Sequence, residues 1–128
     1  SRPNFWRADS LTTKLENDTG ARRGFRWADG MPLYTSFNTI LPPNREIVLS
    51  SDQDDAWGLL PVSSRHQGGA HVAFADGSLR FISDTIDSGD SSQPTVYVGS
   101  ATPPESQSPY GVWGAMGTRA SSELSGIQ

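Results

Sequence analysis

The sequence predicts a β-rich α+β domain, a small antiparallel sheet with short helices and long loops, and three observations predict it. Two alternating apolar runs flank Asp76-Gly77 between Ala70 and Ser83, the pattern of a β-hairpin. Thirteen glycines and nine prolines interrupt the chain too often for long helical periodicity. A hydrophobic fraction of 34% in 128 residues leaves one modest core, which four Trp, five Phe and three Tyr can fill. One domain, residues 1–128, is therefore expected.

In chain order, Asn4 to Asp18 offers Asp9 or Ser10 as an N-cap and Leu11 and Leu15 four residues apart, which predicts one short helix. Phe25–Ala28 and Leu33–Phe37 read as short strands between turn formers, and Ile47–Leu49 as a third apolar run ended by Ser50–Asp55. In the hairpin, Asp76-Gly77 suits a two-residue type I′ turn, because both central residues need positive φ. That turn sets Val72 opposite Phe81 and Phe74 opposite Leu79 on one buried face. Ala75 with Ser78, Ala73 with Arg80 and His71 with Ile82 then share the other. After Asp87 the composition turns to Ser, Gly, Pro, Thr and Gln, with Val96–Val98 as a possible strand and 99–109 as a surface loop. Val112 to Ala120 fits a short helix or an anchored loop equally, since Gly114 and Gly117 weaken a helix. Trp113 is expected in the core.

Charge and cysteine usage exclude several functions. The net charge is -4, and the only local basic cluster is Arg22, Arg23 and Arg26, so a stripe that displaces counterions from phosphates is absent and nucleic acid is not an expected partner. With no cysteine there are no disulfides, thiolate metal sites or cysteine nucleophiles. No apolar run approaches the ~18 residues of a spanning helix, so no membrane contact is expected from this segment.

His66 to Gly77 reads HQGGAHVAFADG, with nine residues between His66 and Asp76. Around it stand RWADG (26–30), FNTILPPN (37–44), SSRHQGG (63–69), DGSLRFISDTID (76–87) and YGVWGAMGTRA (110–120). These words, in this order, resemble the C-terminal part of the planctomycete family of prepilin-like surface proteins known as the domain of unknown function 1559, with its prepilin-type processing-associated H-x9-DG motif. The resemblance covers 24–120 and lacks the family's N-terminal prepilin helix. It implies a pilin-head-like fold, export to the cell envelope, cell surface or outside the cell, and a structural subunit or head domain in a pseudopilin-like assembly related to type II secretion. The partners implied on that basis are further copies of the chain or other assembly subunits; no reaction is implied.

Each chemical reading of the residues has a plainer counterpart. His66 and Asp76 could act as a base oriented by a carboxylate, in a hydrolase with Ser63 or Ser64 nearby. However, Asp76 is accounted for by the turn, His66 and Gly68-Gly69 by a bend, and no nucleophile elbow surrounds the serines. His66, Gly68, Gly69, Asp76 and Gly77 are accordingly read as a structural motif, with Val72, Phe74, Leu79, Phe81 and Trp113 as core and no catalytic residue. Asp52, Asp54 and Asp55 could offer oxygen ligands to calcium, and Asp84, Asp87 and Asp90 do so more weakly. Asp52 to Asp55 lacks the glycine and glutamate of an EF-hand loop, so no cofactor is expected and a solvated acidic loop is the default. The tryptophans at 6, 27, 57 and 113 are read as core anchors; exposed indoles would instead favour a carbohydrate-binding module. An apolar sheet face left uncovered without the prepilin helix is expected to be buried against other copies or against the rest of the same polypeptide.

Overall fold

A computed structural model describes residues 26–50, 55–96, 101 and 106–118. The expected helix at Asn4–Asp18, the strand residues Tyr97 and Val98, Trp6, and the calcium candidates Asp52 and Asp54 lie outside these residues. Among these residues the elements in order are α1 (Pro32–Thr35), β1 (Val48–Leu49), β2 (Gly58–Leu59), β3 (Gly69–Ala73), β4 (Leu79–Ser83) and α2 (Gly111–Met116). They form a mixed, β-rich α+β fold with two antiparallel ladders, β1–β2 and β3–β4.

Two of the expected strands are replaced. Trp27 and Ala28 sit in a turn closed by the Asp29 N–H on the Arg26 carbonyl at 3.0 Å. Leu33–Phe37 contributes to α1 instead, because Pro32 at the first helical turn fixes φ where a helix needs it and has no N–H to satisfy. The Asp29 carboxylate accepts the Met31 N–H at 3.1 Å just ahead of it, and Leu33 and Tyr34 are buried.

Val48 and Leu49 pair with Leu59 and Gly58, and two asparagines extend this short ladder sideways. Asn38 donates its backbone N–H to the Leu60 carbonyl at 2.9 Å and its amide to the Gly58 carbonyl at 2.7 Å, while its side-chain oxygen accepts from Leu60 N–H at 3.3 Å. Asn44, with φ 62°, repeats the pattern: its N–H reaches the Val62 carbonyl and its side-chain oxygen accepts from Ser64 N–H at 2.8 Å. The segment 38–44 is thereby bound along 58–64 without being a strand. It delivers Ile40 and Leu41 to a core with Val48, Leu59 and Tyr110, beside a second cluster of Leu33, Tyr34, Leu49, Ala56 and Leu60.

The hairpin is present at the expected place, in a different register. Gly69 pairs with Ser83, Ala70 with Ile82, His71 with Phe81, Val72 with Arg80 and Ala73 with Leu79. Asp76 does not have positive φ, while Gly77 does at 83°. The Gly77 N–H bonds the Phe74 carbonyl at 3.0 Å and the Phe74 N–H bonds the Ser78 carbonyl at 2.9 Å. The loop is thus three residues, Ala75 to Gly77, in the type I turn plus glycine bulge arrangement rather than type I′. One added loop residue turns every β4 side chain to the opposite face.

The consequence is a correction to the expected core. Val72 and Ile82 are buried and Phe74 is half-buried, whereas Leu79 is 68% and Phe81 47% exposed. The inner face is covered within the chain: Trp113 of α2 fills it, with Val62, Phe74, Ile86 and Met116 around. The sheet face expected to lie bare is therefore closed, and the exposed apolar residues belong to its reverse. Trp113 is 1% exposed and donates its indole N–H to the Leu41 carbonyl at 2.9 Å, joining the hairpin core to the β1–β2 core.

Candidate functional site

The outer face of the hairpin gathers exposed imidazole, aromatic and aliphatic side chains. In the observed register His71 stands opposite Phe81 and Ala73 opposite Leu79, all on the side away from Trp113. The His71 and Phe81 rings meet edge to face with centroids 5.1 Å apart, a favourable aromatic geometry. On the far side of His71 lies His66, whose ring meets that of His71 at 5.4 Å and 85°. These are the only two histidines of the chain, and both are exposed.

The glycines of the motif place these rings. Gly68, at φ 83°, turns the chain into β3 and accepts the Asp84 N–H at 2.9 Å, closing the ladder at its open end. Gly69 is buried beneath β4: a Cβ there would run into the Ile82 carbonyl and approach Cζ of Phe81 at 2.9 Å. His66 is held by its backbone, with the N–H on the Ser64 hydroxyl at 3.1 Å.

Asp76 lies at the opposite end of the hairpin from His66. Its carboxylate accepts the Ser78 N–H at 2.8 Å, and the Ser78 hydroxyl and that N–H hold its pKa below the usual carboxylate range. The His66 ring meets that of His71 edge to face, and Asp76 follows His71 by five residues. At ~3.3 Å per strand residue, the two side chains are on the order of 10 Å apart along the ladder. The structure therefore does not bring His66 and Asp76 into a dyad.

Other sequence candidates are distributed differently. Asp55 is exposed, and among the described residues no group of three or more potential metal-ligating side chains gathers. Asp87 serves the scaffold: its carboxylate accepts from Gly89 N–H at 2.9 Å and lies 3.4 Å from Val112 N, while its carbonyl accepts from Trp113 N–H at 2.9 Å. Asp90 accepts from the Ser92 hydroxyl, the Gln93 amide and the Ser92 N–H, which together lower its pKa. The nearby Tyr110 phenol donates to the carbonyls of Gln93 and Pro94, and burial, then the Asp90 charge, raises its pKa.

Two tryptophans depart from the core expectation. Trp27 is 83% and Trp57 58% exposed, Trp27 in an open depression with Arg26, Ala28, Asp29 and Gly30. Trp57 lies just ahead of β2, where its carbonyl accepts the Ser50 N–H at 3.0 Å. The residues that sequence reasoning missed are Asn38, Asn44 and the ring pair His66–His71. The asparagines flank an apolar, proline-rich stretch, which is a signal for side-chain bonding to backbone. No signal for the ring pair exists without the register.

A family model described as a protein of unknown function (DUF1559) matches residues 2–89. The match begins ahead of RWADG and ends at Gly89, so it contains the hairpin and stops before α2. No curated protein and no solved structure matches the chain.

Proposed function

We propose that this chain, which belongs to the DUF1559 family, is a non-enzymatic structural head domain of an exported, pilin-like surface assembly, in which the outer hairpin face is a contact between subunits. The observation that carries the reading is Leu79 and Phe81 standing exposed on the same face of β4 while Trp113 packs on Val72 and Ile82 of the other. Large apolar side chains gathered on one rigid sheet face mark an interaction site more often than a solvated surface. The H-x9-DG motif then has a mechanical role: Gly68, Gly69 and Gly77 fix the ladder register that turns Leu79 and Phe81 outward. The planctomycete origin, the secretion route and the surface location come from the resemblance of the sequence words and stand as part of the proposal.

Native mass measurement and sedimentation at micromolar concentration test it, with Leu79→Lys/Phe81→Lys as the probe. Self-association of the parent chain that the double variant loses, at unchanged fold, supports the reading. A monomer at all concentrations, with no binding to other subunits of the same surface assembly, overturns it.

A second reading has its own observation, the exposed indoles of Trp27 and Trp57. The Trp27 indole beside Arg26 and Asp29 suits stacking and hydrogen bonding to a sugar ring, as in a carbohydrate-binding module. Quenching or blue shift of tryptophan emission by oligosaccharides, abolished in Trp27→Ala, would favour this reading over the structural one.

A further inference from the structure

We infer that His66 and His71 form a two-imidazole site for a late first-row transition-metal ion, Cu²⁺ foremost, on the outer face of the hairpin. The inference goes beyond the assembly reading and does not depend on it.

The chain has two histidines in 128 residues, and the fold brings both into ring contact. A structural histidine commonly spends its ring nitrogens on backbone or carboxylate partners. Neither of these imidazoles hydrogen-bonds to a described residue: His66 is held through its backbone N–H, and His71 through the ladder and the edge of Phe81. Both residues are exposed, which leaves the pair accessible to an ion from solution.

The spacing fits a shared ion. With metal–nitrogen bonds of ~2.0–2.1 Å and ring nitrogens ~1.2 Å from the ring centre, two imidazoles on one ion have centroids ~4.5 Å apart at the right angle of a tetragonal Cu²⁺ or Ni²⁺ site and ~5.2 Å apart at the tetrahedral angle of Zn²⁺. The observed separation is 5.4 Å with the rings edge to face at 85°, close to the span that one shared ion requires, and binding turns the rings so that a nitrogen of each meets the ion. His71 is anchored on a paired strand between Phe81 and His66, which leaves the His66 side chain to adjust.

Donor chemistry selects the metal. Two neutral nitrogen ligands suit Cu²⁺, Ni²⁺ and Zn²⁺, with Cu²⁺ bound most tightly, and they do not suit Ca²⁺ or Mg²⁺, which require oxygen. Among the described residues no third His, Cys, Asp or Glu joins the pair, so water or an incoming ligand completes the coordination.

Titration of the full chain with Cu²⁺ at neutral pH, followed by electron paramagnetic resonance and by proton NMR of the imidazole C–H signals, tests the site. The expected result is one equivalent bound with nitrogen hyperfine structure. Both histidine signals should broaden together at substoichiometric metal, with Ca²⁺ producing neither change. His66→Ala and His71→Ala should each weaken binding by ~10-fold or more, as expected when a direct ligand is removed. Binding by His66→Ala/His71→Ala equal to that of the parent chain, or broadening of one histidine alone, overturns the inference. Should either variant lose its fold by circular dichroism, paired broadening in the unsubstituted protein decides the question.

Discussion

Replacing Phe81 and Ile82 in turn by alanine discriminates the observed hairpin register from the one that a two-residue turn would impose. Ile82 is 4% exposed and packs with Val72 and Trp113, so Ile82→Ala removes buried methylenes and leaves a cavity under the indole. Substitutions of that kind cost ~2–5 kcal/mol, and ~3 is the reasonable centre. Phe81 is 47% exposed and touches the His71 ring and the Gly69 backbone, so about half of the ~1.5–3 kcal/mol of a fully buried large apolar side chain is at stake, ~1 kcal/mol. With a urea m-value of ~1.5 kcal/mol/M, the unfolding midpoint falls by ~2 M for Ile82→Ala and ~0.7 M for Phe81→Ala. Urea denaturation followed by circular dichroism, with equal m-values required of all three proteins, measures both shifts. If Phe81→Ala proves the costlier substitution, Phe81 is in the core, the loop has two residues, and the outer face described above does not exist.

Two further outcomes follow from local geometry and charge. Gly77→Ala, which forces a Cβ into φ 83°, should destabilise by ~1 kcal/mol or more, whereas Gly77→Asn should recover part of the loss; equal stability of both variants and parent would contradict the bulged loop. The pKa of Asp76 and of Asp90 is lower in the folded protein than the ordinary 3.8, so their contribution to stability is present above that value and is lost as pH falls through the folded value. Tyr110, raised above 10.0, works in the opposite sense, its contribution intact below that value and lost as pH rises through the folded one. Thermal melts across pH should therefore show a shallower acid limb in Asp76→Asn and a shallower alkaline limb in Tyr110→Phe; unchanged limbs would refute these assignments.

How much of this was legible in the sequence depends on how local each cause is. The hairpin was legible because Asp76-Gly77 and its flanking alternation are neighbours in the chain. Its register was not, because Asp-Gly serves both a type I′ turn and a type I turn with a glycine bulge, and Leu79 and Phe81 are as apolar as the Ile82 that is buried in their place. Trp113, supplied from α2, selects Ile82 over Phe81, and nothing between 70 and 83 encodes that choice. Leu33–Phe37 was misread as a strand although Pro32 carried the helix signal. Strand β2, two residues long, has no periodicity to read, and its partner Asn38 bonds through a side chain. The His66–His71 contact depends on the register and so inherits its illegibility, while the glycines that create it were visible from the start.

The hydrogen bond from the Trp113 indole to the Leu41 carbonyl spans 72 positions of sequence, and this sets an order of events during folding. A hairpin closes in ~1–10 μs once both its strands exist. Closing the Leu41–Trp113 loop costs about 2 kcal/mol more in chain entropy than closing one of ten residues. It must also wait for Trp113 to be synthesised, about 30 residues after Ile82 and, at ~5–20 residues per second, some seconds later. During that interval β3–β4 is a hairpin whose inner face, Val72 and Ile82, is as open as the outer one. A ribbon apolar on both faces and unpaired at both edges is prone to adhere to other nascent chains. The six residues of α2 end that vulnerable interval, so damage to them should be felt first as lost yield of folded protein.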